Sequence, residues 1–543
     1  YWSNIMDEEY AIAIDIGTSG IRAQALDLNK SKVVSTSITL RHPLPGANVV
    51  DHLHFALNVG SETAHNILIE SINKVINSLN VKKDMVKRVS VCGNPIQLSL
   101  FANLEIRDLA YWGENAIKDQ NIVPPSRKST ITSAEKIGLD LNPNTEVYIP
   151  PAIKHEIGAD ALAMLYKSGI LEKEGIFLIT DFGTNAEMAL VIDGEIFTCS
   201  AAAGPAIEGQ MIKKGRLASP NTISDLDLVD GGWMIKVLDD ELITVDGDVI
   251  NPENGKIIIE SKNNIEAKGI TGTGVIAAFS LGLRDKIIED GVIKYSDKIY
   301  LQDDVCLSSE DIVNIGKALG AFRAAHLTLA ETAGIDLDEI DACYMAGASG
   351  FYVDPLKSLD VGQIPPSSKE IYQIGNTSLA MAKDICFNPD LLNTLQEIAD
   401  GMESNHIMLA TCETFEKIYS LELAVYEQGM PLWMYNQWLD KYGYQQLPQK
   451  EENPNIHRIF ERDIPELGEE GLNTVEIGSF LKAEFGGCIQ CGTCVDNCPE
   501  GAIKIEDNAI ILRTDFCAGL GCQKCVLSCP LKVYDYSKFL NYY

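Results

Sequence analysis

Short apolar runs alternate with longer stretches of helical period along most of the chain, the pattern of an α/β protein. Residues 11–16 (AIAIDI) predict a strand, 17–20 (GTSG) a tight turn, 21–28 a returning strand and 32–40 a third. Helical periodicity follows over 60–80. The same order then returns: 176–181 (IFLITD) as strand, 182–185 (FGTN) as turn, 186–193 (AEMALVID) as strand. The motif D-x-G-T therefore stands at Asp15 and again at Asp181, 166 residues apart, in one local context. This is a duplicated supersecondary unit, not a short repeat.

Residues 1–6 carry no pattern, and Met6 is a candidate natural start. Residues 217–268 are acidic, turn-rich and strand-like, and read as an inserted β-rich subdomain. Helices are predicted over 309–334 and 375–387, and a strand running into a glycine-rich turn over 341–350 (DACYMAGASG). The stretch 400–444 is helical and aromatic. The α/β region thus spans 7–444. Residues 445–479, rich in Gln, Pro, Glu and Asn, read as a linker on which the last domain, 480–543, is expected to swing. In that domain AIKIEDNAIIL predicts a hairpin turning at Asp507-Asn508.

A length of 543 residues allows three or four structural units, and 46% apolar residues suffice for their cores. The apolar runs are short and interrupted, so no transmembrane helix is expected. The charge of −33, from 44 basic and 77 acidic residues, argues against nucleic acid and anionic membranes as partners. No charged-then-apolar signal segment opens the chain, and a cytoplasmic location is expected.

Two D-x-G-T hairpins have a direct use. Glycine allows close backbone approach, so a tight hairpin can aim N–H groups at a phosphate, and the threonine hydroxyl adds a donor. Gly17, Thr18 and Ser19 form the first such turn, and Gly183, Thr184 and Asn185 the second. Asp15 and Asp181, at the strand ends, suit the Mg²⁺ that accompanies ATP, directly or through water. One such turn is commonly structural; two, each between strands, would clamp a triphosphate from both sides. A G-x-x-x-x-G-K-[ST] loop is absent. Residues 272–277 (GTGVIA) satisfy G-x-G-x-x-A, but with no strand leading in they read as a helix start rather than a dinucleotide site.

Eight of the 14 cysteines fall in the last 56 residues. Cys488, Cys491, Cys494 and Cys498 before Pro499 read C-x2-C-x2-C-x3-C-P, the bacterial ferredoxin run for a 4Fe–4S cluster. Cys517, Cys522, Cys525 and Cys529 before Pro530 repeat it with a longer first gap. Three close thiolates hold three irons, and the fourth ligand comes from the other quartet. Cys529 is therefore expected to complete the first cluster and Cys498 the second. Zinc has no use for three such tightly spaced thiolates, and disulfides would suit a secreted chain. The other six, Cys92, Cys199, Cys306, Cys343, Cys386 and Cys412, are scattered and read as buried thiols.

The duplicated turns resemble those of the actin, hexokinase and Hsp70 superfamily of ATPases. Asp15, Gly17 and Thr18 match its first phosphate motif, Asp181, Gly183, Thr184 and Asn185 its second, and Gly347 and Gly350 its adenosine motif. The resemblance implies a two-lobed actin/hexokinase/Hsp70-like ATPase fold, here with a C-terminal α+β bacterial-ferredoxin domain. More narrowly, HPLPGANVVDHLHFAL (42–57), HEIGADALAML (155–165), TDFGTNAEMAL (180–190), AAAGPAIEG (201–209) and GNTSLAMA (375–382) resemble the ATP-dependent reductive activators of corrinoid proteins. That likeness covers roughly 8–430. Many members carry an N-terminal 2Fe–2S domain; this chain has the dicluster tail instead, as in the activators that serve methylamine methyltransferase systems. Ala346 and Ser349 depart from the glycine or phenylalanine of many relatives.

The resemblance implies ATP-dependent return of one electron to inactive Co(II), making Co(I), on a partner corrinoid protein. ATP, Mg²⁺ and two 4Fe–4S clusters are the implied cofactors, with an external low-potential donor. The step is uphill for an ordinary iron–sulfur donor, since each 100 mV costs roughly 2.3 kcal/mol per electron. No D-x-H-x-x-G motif surrounds any of the eight histidines, so cobalt is expected on the partner.

Asp160, opening a helix after HEIGAD, is a candidate to orient the attacking water; the plainer reading is an acid favoured by the helix dipole. Glu187 and Glu208 lie in family-like segments and His155 has no evident partner. The Trp and Tyr cluster at 426–444 reads as core before it reads as a docking surface. Rival functions are an activator of the 2-hydroxyacyl-CoA dehydratase kind, which lacks an eight-cysteine tail, a remodelling ATPase with structural clusters, and a small-molecule kinase.

Overall fold

A computed structural model describes residues 8–46, 48–110, 114–153, 157–183, 185–202, 211–216 and 218–541. The chain forms two compact units. One takes in the chain up to Ala163, with Thr377–Glu403 and everything from Ile464 on; the other takes Met164–Asn376 and Ser404–Asp463.

The first unit is built on a seven-stranded sheet. Its spatial order is Leu472–Val475, Lys32–Thr39, Ile21–Asp27, Tyr10–Ile16, Val86–Gly93, Glu146–Ile149 and Thr130–Ser133. Tyr10–Ile16, Ile21–Asp27 and Lys32–Thr39 run as an antiparallel meander, and Tyr10–Ile16 pairs in parallel with Val86–Gly93. Both faces of Tyr10–Ile16 are covered, which is why its apolar residues run on instead of alternating. Helix Thr377–Phe387 packs on this strand and on Val86–Gly93.

The second unit repeats the plan. Its sheet runs His406–Ile407, Glu195–Ala201, Ala186–Ile192, Ile176–Phe182, Ala342–Ala346, Glu370–Gly375 and Asn455–Arg458. Ile176–Phe182, Ala186–Ile192 and Glu195–Ala201 form the meander, and Ile176–Phe182 pairs in parallel with Ala342–Ala346. The duplication expected from two D-x-G-T motifs is thus a duplication of strand order.

The expected insert is a separate five-stranded sheet, ordered Ile257–Ile259, Thr244–Ile250, Gly232–Leu238, Thr222–Val229 and Gly269–Ile270; Leu217, its expected start, lies outside the described residues. Helix Gly272–Arg284 covers Thr222–Val229, and the buried Trp233 donates its indole N–H to Asp285 Oδ2 at 2.7 Å. One expectation is corrected here. A two-residue strand, Gly269–Ile270, does lead into GTGVIA. The motif still serves packing, because a Cβ on Gly274 would lie 2.4 Å from the Ile223 carbonyl oxygen.

Helix Ser309–Ala333 opens with a capping box between Ser308 and Asp311 and packs against helix Glu413–Gln428. Between them Arg323 Nε donates to both carboxylate oxygens of Glu422 at 3.2 Å, and Tyr435 donates its hydroxyl to the same carboxylate. Tyr426 and Tyr435 are core residues, whereas Trp433 is exposed.

The last domain is a four-stranded sheet ordered Ile503–Glu506, Ala509–Arg513, Phe480–Ala483 and Leu540–Asn541. Its hairpin turns at Asp507 and Asn508, both left-handed (φ 46° and 66°), as a two-residue primed turn requires. The segment read as a linker is not an open tether. Asn455–Arg458 pairs with Glu370–Gly375 in the second unit, and Leu472–Val475 pairs with Lys32–Thr39 in the first. Gln24 Nε2 also donates to the Glu466 carbonyl at 2.6 Å, and Thr36 Oγ1 to that of Leu467 at 2.8 Å.

Glu422→Leu is expected to cost about 3–5 kcal/mol, because it leaves the Arg323 guanidinium buried without its carboxylate. Adding Arg323→Met should recover most of that loss. Calorimetric melting of both variants checks this; equal destabilisation in each would show that the pair is not what the two helices depend on.

Candidate functional site

The first hairpin closes on itself through the Gly17 N–H, which donates to the Gly20 carbonyl at 3.0 Å. Asp15, only 5% exposed, lies at the end of its strand opposite Arg22, whose Nη1 is 3.6 Å from Asp15 Oδ2. Arg22 escaped the sequence reading, since a strand arginine two turn residues away signals nothing alone. Thr18 and Ser19 sit in the open bend between the strands.

Asp160 comes to this same hairpin. It stands in the first turn of helix Ala159–Ser168, where its carboxylate accepts the Ala161 N–H at 2.9 Å. Burial pushes its pKa up to about 6, partly offset by that hydrogen bond, and the Asp15 carboxylate adds to the rise. A buried carboxyl whose pKa is raised toward neutrality beside a second carboxylate is a candidate acid–base or water-orienting group. The dipole reading alone would lower this pKa rather than raise it.

In the second unit the structure brings the second hairpin and the predicted adenosine turn together. Parallel register sets Ala346 beside Asp181, so the chain leaves strand Ala342–Ala346 directly over the hairpin. Gly347 has φ +80°, and a Cβ there would lie 2.5 Å from Asp181 Oδ1; only glycine passes. A Cβ on Gly350 would meet the Phe182 ring at 2.8 Å. Gly183 donates to the Asn185 carbonyl at 3.2 Å. The buried Gln373 was not foreseen: its Nε2 reaches the carbonyls of Gly350, Phe351 and Val353, each at 3.0 Å, and so holds the turn of helix Gly347–Tyr352. Glu187 lies opposite Asp181, buried, with Ser200 Oγ 3.5 Å away. Thr184, His155 and Glu208 lie outside the described residues.

All eight cysteines of the last domain are free thiols. Left-handed residues interrupt the runs at Gln490, Gly492 and Gln523, as tight turns between close cysteines require. Helices Thr493–Asp496 and Lys524–Ser528, one from each quartet, lie in contact. Thiols of the two quartets lie near enough to influence one another. The Thr493 hydroxyl and backbone hold the Cys491 thiol below its usual range, with Cys529 acting against them. Burial pushes Cys517 up to about 11, with Cys525 and Cys498 adding to it. Backbone N–H groups already address the sulfurs: Ala502 to Cys498 at 3.3 Å and Gly519 to Cys517 at 3.4 Å. Tyr536 Oη lies 3.5 Å from both Cys517 and Cys525. This donor set fits iron–sulfur clusters, whose charge such N–H groups offset.

Among the described residues no three His, Cys, Asp or Glu side chains converge as around a single metal ion. Each iron of a cubane needs only one thiolate, and Mg²⁺ on an aspartate takes its other ligands from phosphate and water.

Three family descriptions match the chain: "RACo middle region" over residues 10–173, "C-terminal domain of RACo the ASKHA domain" over 175–436, and "4Fe-4S dicluster domain" over 485–535. The chain is 45% identical over 500 residues, 92% of either chain, to the "[Co(II) methylated amine-specific corrinoid protein] reductase" of Methanosarcina barkeri. It is 22% identical to the "Corrinoid activation enzyme RamQ" of Eubacterium limosum, covering 76% of this chain and 70% of that one. Among solved structures it shares the fold of the "Reductive activator for corrinoid,iron-sulfur protein", with TM-score 0.60, 23% identity, and 78% and 67% of the two chains covered.

Because the folded pKa of Asp160 exceeds its unfolded value of about 3.9, the folded state binds the proton more tightly and loses stability as pH rises from about 4 to about 6. Asp160→Asn should therefore melt higher than wild type at pH 8 and no higher at pH 4, while ATP hydrolysis collapses. A variant that hydrolyses ATP at the wild-type rate would take Asp160 out of the reaction.

Proposed function

The chain belongs to the reductive activators of corrinoid proteins, and on that premise we propose that it uses ATP to return one electron to Co(II) on a corrinoid protein of a methylamine methyltransferase system. Its ATPase region and 4Fe–4S domain lie on one polypeptide, and the reaction is an oxidoreduction of corrinoid-bound cobalt coupled to that ATPase. The client class rests on the 45% identity to a reductase named for methylated amine-specific corrinoid proteins. The observation that carries the reading is the joining, in one compact unit, of a phosphate-type hairpin with the eight-thiol domain.

Each group has a task. Beyond Gly17 and Gly183, whose N–H groups close the hairpins, the two turns would offer N–H and hydroxyl donors to phosphate oxygens, and Asp15 and Asp181 would hold Mg²⁺ directly or through water. Arg22 balances Asp15 until the cation arrives. Asp160, ionised above about pH 6, orients the attacking water. Gly347 and Gly350 carry the adenosine turn past Asp181, with Gln373 fixing it from below. Cys488, Cys491, Cys494 and Cys529 would hold one cluster, and Cys517, Cys522, Cys525 and Cys498 the other. Bound there, the clusters supply one-electron transfer at low potential. Electrons would enter from an external low-potential donor. No helix of the described residues is long and apolar enough to cross a membrane, and we place the reaction in the cytoplasm.

The test is anaerobic absorption spectroscopy of a Co(II) corrinoid protein mixed with this chain and a strong reductant, with and without MgATP. Co(I) is expected only with MgATP, and is expected to vanish in Asp181→Ala and in Cys491→Ala. Intact clusters and ATP hydrolysis without any Co(I) would point instead to a dehydratase-type activator or a remodelling ATPase.

A further inference from the structure

Arg41, Gly46 and Asp51 meet the second cysteine quartet directly. The Gly46 N–H donates to the Cys517 carbonyl at 2.9 Å, and the Arg41 guanidinium lies 4.8 Å from the centre of the Phe516 ring. A Cβ on Gly519 would fall 2.8 Å from Gly46 Cα, so these two backbones touch. Gly519 is the residue whose N–H addresses the Cys517 sulfur. Any movement of Gly46 therefore moves a hydrogen bond to a cluster ligand. Such bonds are among the factors that set cluster potentials.

Behind Gly46 lies a buried polar chain that packing alone does not require. His42 and His52 stack with ring centres 3.9 Å apart and planes 21° from parallel. Gln97 joins them and is fully buried, as is His52; His42 is 4% exposed. Gln97 Nε2 donates to His52 Nδ1 at 2.7 Å, so its Oε1 accepts from His42 Nε2 at 3.1 Å, and His42 Nδ1 takes the Leu44 N–H at 3.1 Å. This pattern keeps both rings neutral. Burial, with His52 beside it, holds His42 well below its usual range, and burial holds His52 at about 4. Among the described residues His52 Nε2 has no hydrogen-bond partner, although the Gly46 backbone favours its charged form.

Gln97 also reaches the nucleotide hairpin. It lies on helix Pro95–Phe101, which begins directly after strand Val86–Gly93 and is capped by Asn94. In that strand Gly93 stands beside Ile16, the residue before Gly17. A Cβ on Gly93 would be 2.8 Å from the Ile16 carbonyl oxygen and 3.6 Å from Gln97 Cβ. One short path thus runs from Ile16 through Gly93, Gln97 and His42, which is stacked on His52, along loop 42–46 to Cys517, all within one compact unit.

We infer that His42, Gln97 and His52 are positioning residues of the electron-transfer reaction: they hold loop 42–46 against the Cys517–Gly519 turn and transmit the state of the first phosphate hairpin to the second cluster. The inference rests on the assignment of that hairpin to ATP and of Cys517 to a cluster. A shift of Ile16 and Gly17 on phosphate binding moves the start of helix Pro95–Phe101. The glutamine moves with it, and the stacked rings move Gly46. The outcome is a changed N–H contact at the Cys517 sulfur.

The experiment is redox titration of the full-length, cluster-loaded protein, followed by electron paramagnetic resonance, with and without MgATP. The second cluster is identified as the signal lost in Cys517→Ser. In wild type its midpoint potential should change with MgATP. Gln97→Leu and His52→Phe should keep the full iron content, about eight per chain, and bind MgATP, yet lose that response and shift the nucleotide-free potential downward. His52→Asn, whose Oδ1 can accept in place of Nδ1, should restore it. Should those variants not fold, Gly519→Ala acts from the cysteine side by pushing Gly46 away, and should uncouple in the same manner. A second cluster that responds to MgATP equally in wild type, Gln97→Leu and Gly519→Ala would overturn the bridge alone. A wild-type chain without clusters or without MgATP binding would overturn the underlying assignment, and the bridge with it.

Discussion

Parallel register beside each meander is the constraint on which the site depends. In the first unit Asp15 pairs with Cys92 and the chain continues to Gly93; in the second Asp181 pairs with Ala346 and the chain continues to Gly347. Each carboxylate strand therefore ends next to a neighbour that has just reached glycine. A slip of one residue would turn Asp15 and Asp181 to the opposite face of their sheets and bring a side chain where none fits. The close approaches at Gly93 and Gly347, where any side chain would clash, favour this register.

That geometry also explains why the chemistry is distributed as it is. The strand ends carry backbone donors and carboxylates, while cations lie close by: Arg22 at Asp15, and Arg323 paired with Glu422 deep in the helices behind the second sheet. Arg127 with Asp108 is another such buried pair, and pairs of this kind matter more to the fold than the many exposed charges. The eight thiols do not hang free of this framework. Their second quartet is seated on loop 42–46, in the same compact unit as the first hairpin.

Much of this was legible in the chain. Period and turn chemistry located the two meanders, helix Ser309–Ala333, the strand into Gly347 and the primed turn at Asp507-Asn508, because each is decided within a dozen residues. Cysteine spacing located the dicluster domain for the same reason. What stayed hidden depends on partners far apart in sequence. Gln373 is an ordinary strand residue until the three carbonyls above it are known. Arg22 acquires meaning only across the hairpin, and Gln97 only when two histidines close around it. Residues 445–479 read as a linker because edge strands of four residues are too short to show a period, and their pairing lies with strands far earlier in the chain.

The strand Leu472–Val475 has one more consequence. It covers the outer edge of Lys32–Thr39, whose backbone N–H and C=O groups would otherwise stand open to any passing chain. The polypeptide leading into the redox domain is thus also the guard of the ATPase sheet against self-association. The boundary between the two modules cannot be cut cleanly. A transplanted redox domain leaves an adhesive edge behind, so recombination of such modules must carry residues 464–479 with the sheet they protect.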